Sequence, residues 1–254
     1  MKNNYKVSVL LPTYNEKDNI IPLIGELISI LKNREFEIIV IDDDSTDETW
    51  RYVQEKGKED KRVHLLRRIG KRGLTSALND GIAKAEGDVV VWMDSDFQHP
   101  PFKVGELLAA LEMRYDVAVG SRFAVGGRDF RKIKYHLSSV MIVQGYLSKL
   151  ISRVTSLLLM SSFRDWTSGF IAIKKDILIK NKLRGDYGEY FMLMMHDVLK
   201  ANYKVLEIPY SLDPRRSGYS KTATNFRVLF FKGMKYLYTL FKLFIYDVKK
   251  WIVT

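Results

Sequence analysis

Five consecutive apolar residues, Val89 to Met93, run directly into Asp94-Ser95-Asp96-Phe97-Gln98-His99-Pro100-Pro101. A short run without polar alternation reads as a strand buried on both faces, and such a strand needs a layer of helices on either side. Open α/β sheets place their ligands at the carboxyl ends of the strands, and this strand ends in two carboxylates one residue apart. Hard oxygen donors in that position suit a divalent cation, Mg²⁺ or Mn²⁺, that also touches phosphate oxygens. Taken alone, an acidic pair after a strand is equally well read as a solvated turn. The remaining chain decides between the two.

The 254 residues suit one large α/β domain, or one domain with a C-terminal appendage, and a hydrophobic content of 46% is ample for its core. Forty-one Lys and Arg against 30 Asp and Glu leave a formal charge of +11, which favours polyanions: nucleic acid, anionic headgroups or phosphorylated substrates. With no cysteine, disulfides and thiolate metal sites are excluded, and four scattered histidines argue against zinc. The first residues lead into a strand without a signal-peptide core. No window is apolar for long enough to cross a bilayer; Lys149 and Arg153 interrupt the best candidates.

Read in order, Val7–Leu11 is a strand closed by Pro12-Thr13-Tyr14-Asn15-Glu16, and a helix with a broad apolar face from Ile20 to Leu31 follows. Phe36–Ile41 is a second strand, ending in Asp42-Asp43-Asp44, where Ser45 and Glu48 fit a capping box for the next helix. Val63–Leu66 is a third, and a basic glycine-containing turn, Gly70 to Thr75, opens the helix before Val89. Alternating strands and helices with short links predict a mostly parallel sheet. Right-handed crossovers then bring Pro12–Glu16, Asp42–Asp44 and Asp94–Gln98 to one rim. Clustered acids there repel unless a cation joins them or a ligand separates them.

Leu-Pro-Thr-Tyr-Asn-Glu, Ile-Asp-Asp-Asp-Ser-Thr-Asp, Met-Asp-Ser-Asp-Phe-Gln-His-Pro-Pro and Gly120-Ser121-Arg122 together resemble the inverting glycosyltransferases of family two, with the GT-A fold. Asp165-Trp166-Thr167-Ser168-Gly169-Phe170 and Arg215-Arg216-Ser217-Gly218-Tyr219-Ser220-Lys221 narrow the likeness to polyprenyl-phosphate sugar synthases, nearest the dolichol-phosphate mannose synthases. The resemblance runs from about Lys6 to Lys221. It implies a GT-A, Rossmann-like, mostly parallel mixed sheet flanked by helices. Donor contacts would come from Pro12, Tyr14, Glu16, Ile41, Asp43, Ser95, Arg215 and Lys221, and Mg²⁺ or Mn²⁺ would be held by Asp94, Asp96 and Gln98. Arg122, Lys134 and Ser138 would grip the acceptor phosphate. Lys134 stands where the family usually has arginine, and a slipped register would nominate Arg131 or Arg128 instead. Asp94, Asp96, Arg122 and Arg215 are the residues expected to carry catalysis. His196 takes the place of a family glutamate; its stretch, Phe191–His196, reads as core.

The implied reaction is transfer of mannose from GDP-mannose to polyprenyl (dolichyl) phosphate with inversion. UDP-glucose or another donor, a hydroxyl acceptor, and a non-catalytic nucleotide or nucleic-acid module remain the alternatives; the favoured reading needs no nucleic acid. A phosphomonoester, with a second pKa near ~6, is already largely dianionic at neutral pH and needs no general base. Accordingly the chain has no Gln-x-x-Arg-Trp motif, and Asp186 and Glu189 read as helix-start acids. Ser138–Phe163 and Asn225–Val253 read as amphipathic, the latter with Lys235, Lys242 and Lys249 in a seven-residue row and Lys232 beside them. Such helices can pack on the domain or lie in a membrane interface. The expected layout is a transferase domain over 1–221 and an amphipathic helical segment over 222–254. It would sit on the cytoplasmic face of a membrane, with a membrane partner subunit left open.

Overall fold

The computed structural model describes residues 5–130, 139–180, 182–218 and 226–253. Seven strands form the main sheet: β1 (Val7–Thr13), β2 (Phe36–Asp42), β3 (Val63–Arg67), β4 (Val89–Trp92), β5 (Val117–Ser121), β7 (Ile171–Lys174) and β8 (Val205–Pro209). Their spatial order is β3-β2-β1-β4-β7-β5-β8. β7 is antiparallel to both of its neighbours, while β1 is parallel to β2 and β4, β2 to β3, and β5 to β8. The mixed, mostly parallel sheet expected from the sequence is therefore present. A separate two-residue ladder joins β6 (Arg128–Asp129) to β9 (Ser211–Leu212).

Period-two alternation splits the central strands between two cores. Val7, Val9 and Leu11 of β1, Ile38 and Val40 of β2, and Val89 and Val91 of β4 face α1 (Lys17–Leu31) and α4 (Lys103–Glu112). Leu10, Ile39, Ile41, Val90 and Trp92 point the other way, toward α3 (Leu74–Lys84) and α7 (Glu189–Lys200). The strands read as unbroken apolar runs because both faces are covered. Burying side chains such as these on both sides contributes about 1.5–3 kcal/mol for each large aliphatic residue.

Two long helices complete the chain, with the shorter α2 (Thr49–Glu59) and α6 (Lys175–Lys180) on the sheet's flanks: α5 (Ser139–Leu158) and α8 (Phe226–Val253). They contact each other, and α8 also packs on α7. The inner face of α8 buries Leu240 and Leu243 in the second core. Its outer face exposes Phe230, Met234, Leu237, Phe241, Phe244, Val248 and Trp251, whose alternating spacing of four and three residues keeps them on one stripe. Lys235, Lys242 and Lys249 are exposed beside that stripe. Lys232 is not with them: three residues before Lys235 turns it about 60° toward the packed face, and it is half-buried there. Among the described residues no helix is long and apolar enough to cross a membrane.

One local expectation is overturned. Ser45 and Glu48 make no capping box: Glu48 precedes α2 in a left-handed conformation without a side-chain cap. Asp47 takes the Thr49 N–H instead, at 3.0 Å. Ser45 is occupied elsewhere, donating to Asp42 at 2.6 Å and accepting the Asn15 N–H at 2.9 Å.

Candidate active site

The ends of β1, β2 and β4 lie side by side, and a cleft of about 560 Å³ opens over them. Pro12, Tyr14, Glu16, Asp43, Asp94, Ser95, Asp96, Gln98, Arg122 and Arg215 all border it. Three strand ends and two distant loops thus supply one concavity. Ile41 does not join them: its side chain is fully buried in the core, where a Cβ on Gly81 would approach it to 2.9 Å. Strand alternation sends Ile41 inward, so its side chain is not a donor contact. Arg128 is exposed on β6 and does not border the cleft. Arg131, Lys134, Ser138 and Lys221 lie outside the described residues.

The acidic pair has asymmetric surroundings. Asp94 is exposed to the cleft, and its backbone N–H donates to Nδ1 of the buried His99 at 3.0 Å. Asp96 is buried, and its carboxyl is pushed up to about 6 by that burial and by the charge of Asp94, with Arg215 pulling the other way. It ionises only as the pH rises through that range. Phe97, between Asp96 and Gln98, holds φ +65°, a left-handed conformation unusual for a bulky residue. That strained corner lets the Gln98 N–H reach Asp96 Oδ1 at 3.0 Å, while the Gln98 amide donates to the Asp213 carbonyl at 3.2 Å. Ser95 points backward and ties the Pro12 carbonyl at 3.2 Å.

Arg215 crosses the cleft. One Nη donates to Asp96 Oδ2 at 2.7 Å and the other pairs with Glu16. The neighbouring Arg216 N–H meets the Asp96 carbonyl, and Ser217 meets Asn19 and Asp18. The loop is thereby pinned to the ends of β1 and β4 together.

Arg122 sits at the end of β5 with its fork already engaged. Nε and Nη2 hold the two oxygens of Asp165 at 2.9 and 2.6 Å, and Nη2 also reaches Thr167 at 2.7 Å. Burial works against its charge, but the Asp165 carboxylate outweighs burial and the net shift is upward. A bidentate pair of this kind fixes the plane of the guanidinium.

Sequence reasoning passed over several residues that shape the site. Arg68 is buried and clamps Asp43 at 2.7 Å, while Gly73 N–H takes the other Asp43 oxygen at 2.9 Å. The available signal was two arginines at the end of β3, in register with the acidic end of β2. His99 stacks on Phe170 with ring centroids 4.9 Å apart and meets the edge of Tyr210. Arg72 lies 4.4 Å above the Tyr14 ring. Lys232 and Tyr236 of α8 border the cleft as well. His196, read as core, is indeed buried, and its Nε2 lies 3.0 Å from Asp247 of α8.

No group of three or more acidic, histidine or cysteine side chains converges among the described residues. The protein alone offers Asp94 and Asp96, with Gln98 beside them. That donor set fits Mg²⁺ or Mn²⁺, which keep water and take substrate phosphate oxygens.

An acidic strand-end cleft over a mixed α/β sheet of this order defines the GT-A class of transferase folds. The chain belongs to the Glycosyl transferase family 2, whose pattern it matches over residues 8–182. It is 34% identical over 242 residues to a dolichol-phosphate mannosyltransferase of Pyrococcus furiosus, covering 93% of this chain but 64% of that protein, so it spans less than two thirds of that relative's length. It is 29% identical to a polyprenol monophosphomannose synthase of Mycolicibacterium smegmatis, over 88% of this chain and 84% of the relative. The dolichol-phosphate mannosyltransferase of Saccharomyces cerevisiae is 27% identical over 91% and 86% of the two chains. Among solved structures, glucosyl-3-phosphoglycerate synthase from Mycobacterium tuberculosis, in complex with Mn²⁺, UDP and phosphoglyceric acid, superposes with a TM-score of 0.70. Identity is 20%, with 96% of this chain and 80% of that one covered. The same enzyme has been solved with Mg²⁺ and UDP. At that identity the likeness speaks for the fold.

Proposed function

We propose that this protein transfers mannose from GDP-mannose to a polyprenyl (dolichyl) phosphate at a membrane surface, with inversion. The observation that carries this reading is the two-ended cleft. One end is acidic and lies at the strand termini. The other is walled by Met141, Gln144, Ser148 and Ile151 of α5 and by Leu229, Lys232, Gly233 and Tyr236 of α8. A nucleotide sugar suits the first end and a lipid phosphate the second. The names of the relatives support the same pairing.

In this reading Pro12, Tyr14, Glu16 and Asp43 seat the nucleoside, and Asp94, Asp96 and Gln98 hold the divalent cation. When bound, that cation would neutralise charge on the departing pyrophosphate. Arg215, leaving Asp96 for the phosphates, adds a second positive charge at the same place. Arg122, fixed by Asp165, faces the acceptor phosphate. One acceptor phosphate oxygen forms a bond to the anomeric carbon, the bond from that carbon to the GDP oxygen breaks, and GDP leaves. Attack from the opposite face gives the β-linked lipid sugar. Of the carboxylates bordering the cleft, Glu16 and Asp96 meet Arg215, Asp43 meets Arg68 and Asp186 meets Lys235. A phosphate acceptor needs none of them as a base.

Beside the exposed apolar stripe of α8 and its row of lysines, the contacting helix α5 also exposes Val143, Tyr146, Leu150 and Leu157. Aromatics at headgroup depth with lysines reaching anionic lipid suit an interfacial helix. Residues 1–221 then form the transferase domain, and 222–254 form its membrane-facing appendage. The test is transfer of label from radiolabelled GDP-mannose into organic-extractable lipid with polyprenyl phosphate, with Mg²⁺ and with chelator. Chelator-sensitive lipid product is expected. Product from UDP-glucose alone would change the donor, and no lipid product from any donor would overturn the acceptor.

A further inference from the structure

The cleft finishes against the first turns of α8, in a part of the chain that lies beyond every motif discussed so far. Lys232 is half-buried there, its Nζ 4.2 Å from the centroid of the Tyr187 ring. Burial, and then the neighbouring charge of Lys235, lower its affinity for its proton. An approaching anion relieves both effects. One turn on, burial and then the neighbouring Tyr187, Glu189 and Tyr190 push the Tyr236 hydroxyl up, while the positive charge of Arg122 pulls it down. Arg122 already has Nε and Nη2 on Asp165 and Thr167, and its Nη1 lies 4.0 Å from Asp129. A phosphomonoester dianion brought to this wall therefore meets Lys232 as a second cation.

Gly233 adds a separate observation. A glycine inside a helix costs about 1 kcal/mol relative to alanine. Close packing does not call for it here, because no described atom lies within 4 Å of a Cβ built on Gly233. Gly25 and Gly105 are equally open, but they do not border the cleft as Gly233 does. Among the described residues, the missing side chain leaves open space at a cleft wall that α5 and α8 share.

We infer that Lys232 and Gly233 form an acceptor-selecting seat on α8, in which the lysine binds the lipid phosphate and the bare glycine lets the polyprenyl chain leave between the helices. The inference rests on the transferase reading above and assigns it two residues outside the family's motifs.

The test compares the full-length wild type with Lys232→Gln, Lys232→Arg and Gly233→Leu, using long-chain polyprenyl phosphate and geranyl phosphate as acceptors. Binding of GDP is measured alongside by calorimetry. Lys232→Gln is expected to raise the KM for both acceptors about tenfold to a hundredfold, the size of a lost charge-assisted hydrogen bond, with GDP affinity unchanged. Lys232→Arg should restore most of the loss. Leucine is a better helix former than glycine, so Gly233→Leu should keep or raise the thermal midpoint. It should lose roughly tenfold or more with the long chain, as expected when a branched side chain takes up space the lipid would use, and retain geranyl phosphate. Acceptor KM values equal to wild type in both variants would overturn the seat, as would a parallel loss of GDP affinity in Lys232→Gln. A wild type that makes no lipid product from any nucleotide sugar removes the transferase reading itself, and the seat with it.

Discussion

The two ends of the cleft are built on opposite principles. At the strand termini buried acidic side chains are tied to partners: Asp43 to Arg68 and Gly73, Asp96 to Gln98 and Arg215, and Glu16 to Arg215. The helical end is amphipathic, with α8 sharing its inner face with the core and presenting an exposed apolar stripe outside. The first end spends hydrogen bonds on holding charge still, as developing charge in a transfer reaction requires. The second leaves a large apolar area exposed among the described residues.

Substitutions should separate the two ends. Asp96→Asn should have the largest effect, lowering transfer by on the order of 10²–10³-fold with the circular dichroism spectrum unchanged. A folded variant with near-normal turnover would show that the acidic end is not the chemical centre. Asp165→Asn should come next, because it leaves Arg122 buried without its carboxylate. A loss of about 3 kcal/mol in denaturant unfolding is expected, together with loss of transfer. Lysine at position 122 should not repair the site, since it lacks the fork. At the helical end, Phe241→Ser should weaken binding to anionic vesicles by about 1–2 kcal/mol while leaving the unfolding midpoint in place. A fall in the midpoint would mean that the stripe is covered within the protein or by a second copy, which sedimentation would reveal. Lys242→Gln should have the smallest effect, about 1 kcal/mol on anionic vesicles, vanishing on neutral vesicles or at high salt.

The polar end was legible in the sequence to the extent that its residues are local. Asp94, Asp96, Glu16 and Asp43 follow apolar runs directly, so a strand-end rule places them. Ile41 was expected beside Asp43, but its side chain takes the core face, because a motif names a position without saying which face of the strand it takes. Arg68, His99 and Asp165 went unread because their partners lie elsewhere in the chain, on β2, on β7's approach and at the end of β5. The capping box at Ser45 failed for a related reason: the same hydroxyl can serve a helix start or a neighbouring strand end, and Asn15 and Asp42 claimed it. Periodicity correctly gave α8 two faces. It placed Lys232 on the outer one only because a row of lysines at seven-residue spacing looks like one surface until the inner arc is known.

The position of β7 has a consequence for how the molecule comes into being. Strands β4 and β5 precede β7 in the chain, yet neither touches the other; β7 lies between them and pairs with both. A nascent polypeptide that ends before Ile171 therefore holds the four strands β3-β2-β1-β4 with an open edge at β4, and a β5 whose two partners, β7 and β8, are both still to come. His99 meanwhile waits for Phe170 and Tyr210 before its ring is enclosed. Synthesis should thus produce the acidic strand ends early and leave them idle until the last third of the chain closes the gap. Pulsed hydrogen exchange on stalled chains should show protection of β1 and β2 well before β5, and protection of β5 in chains stalled before Ile171 would contradict this order.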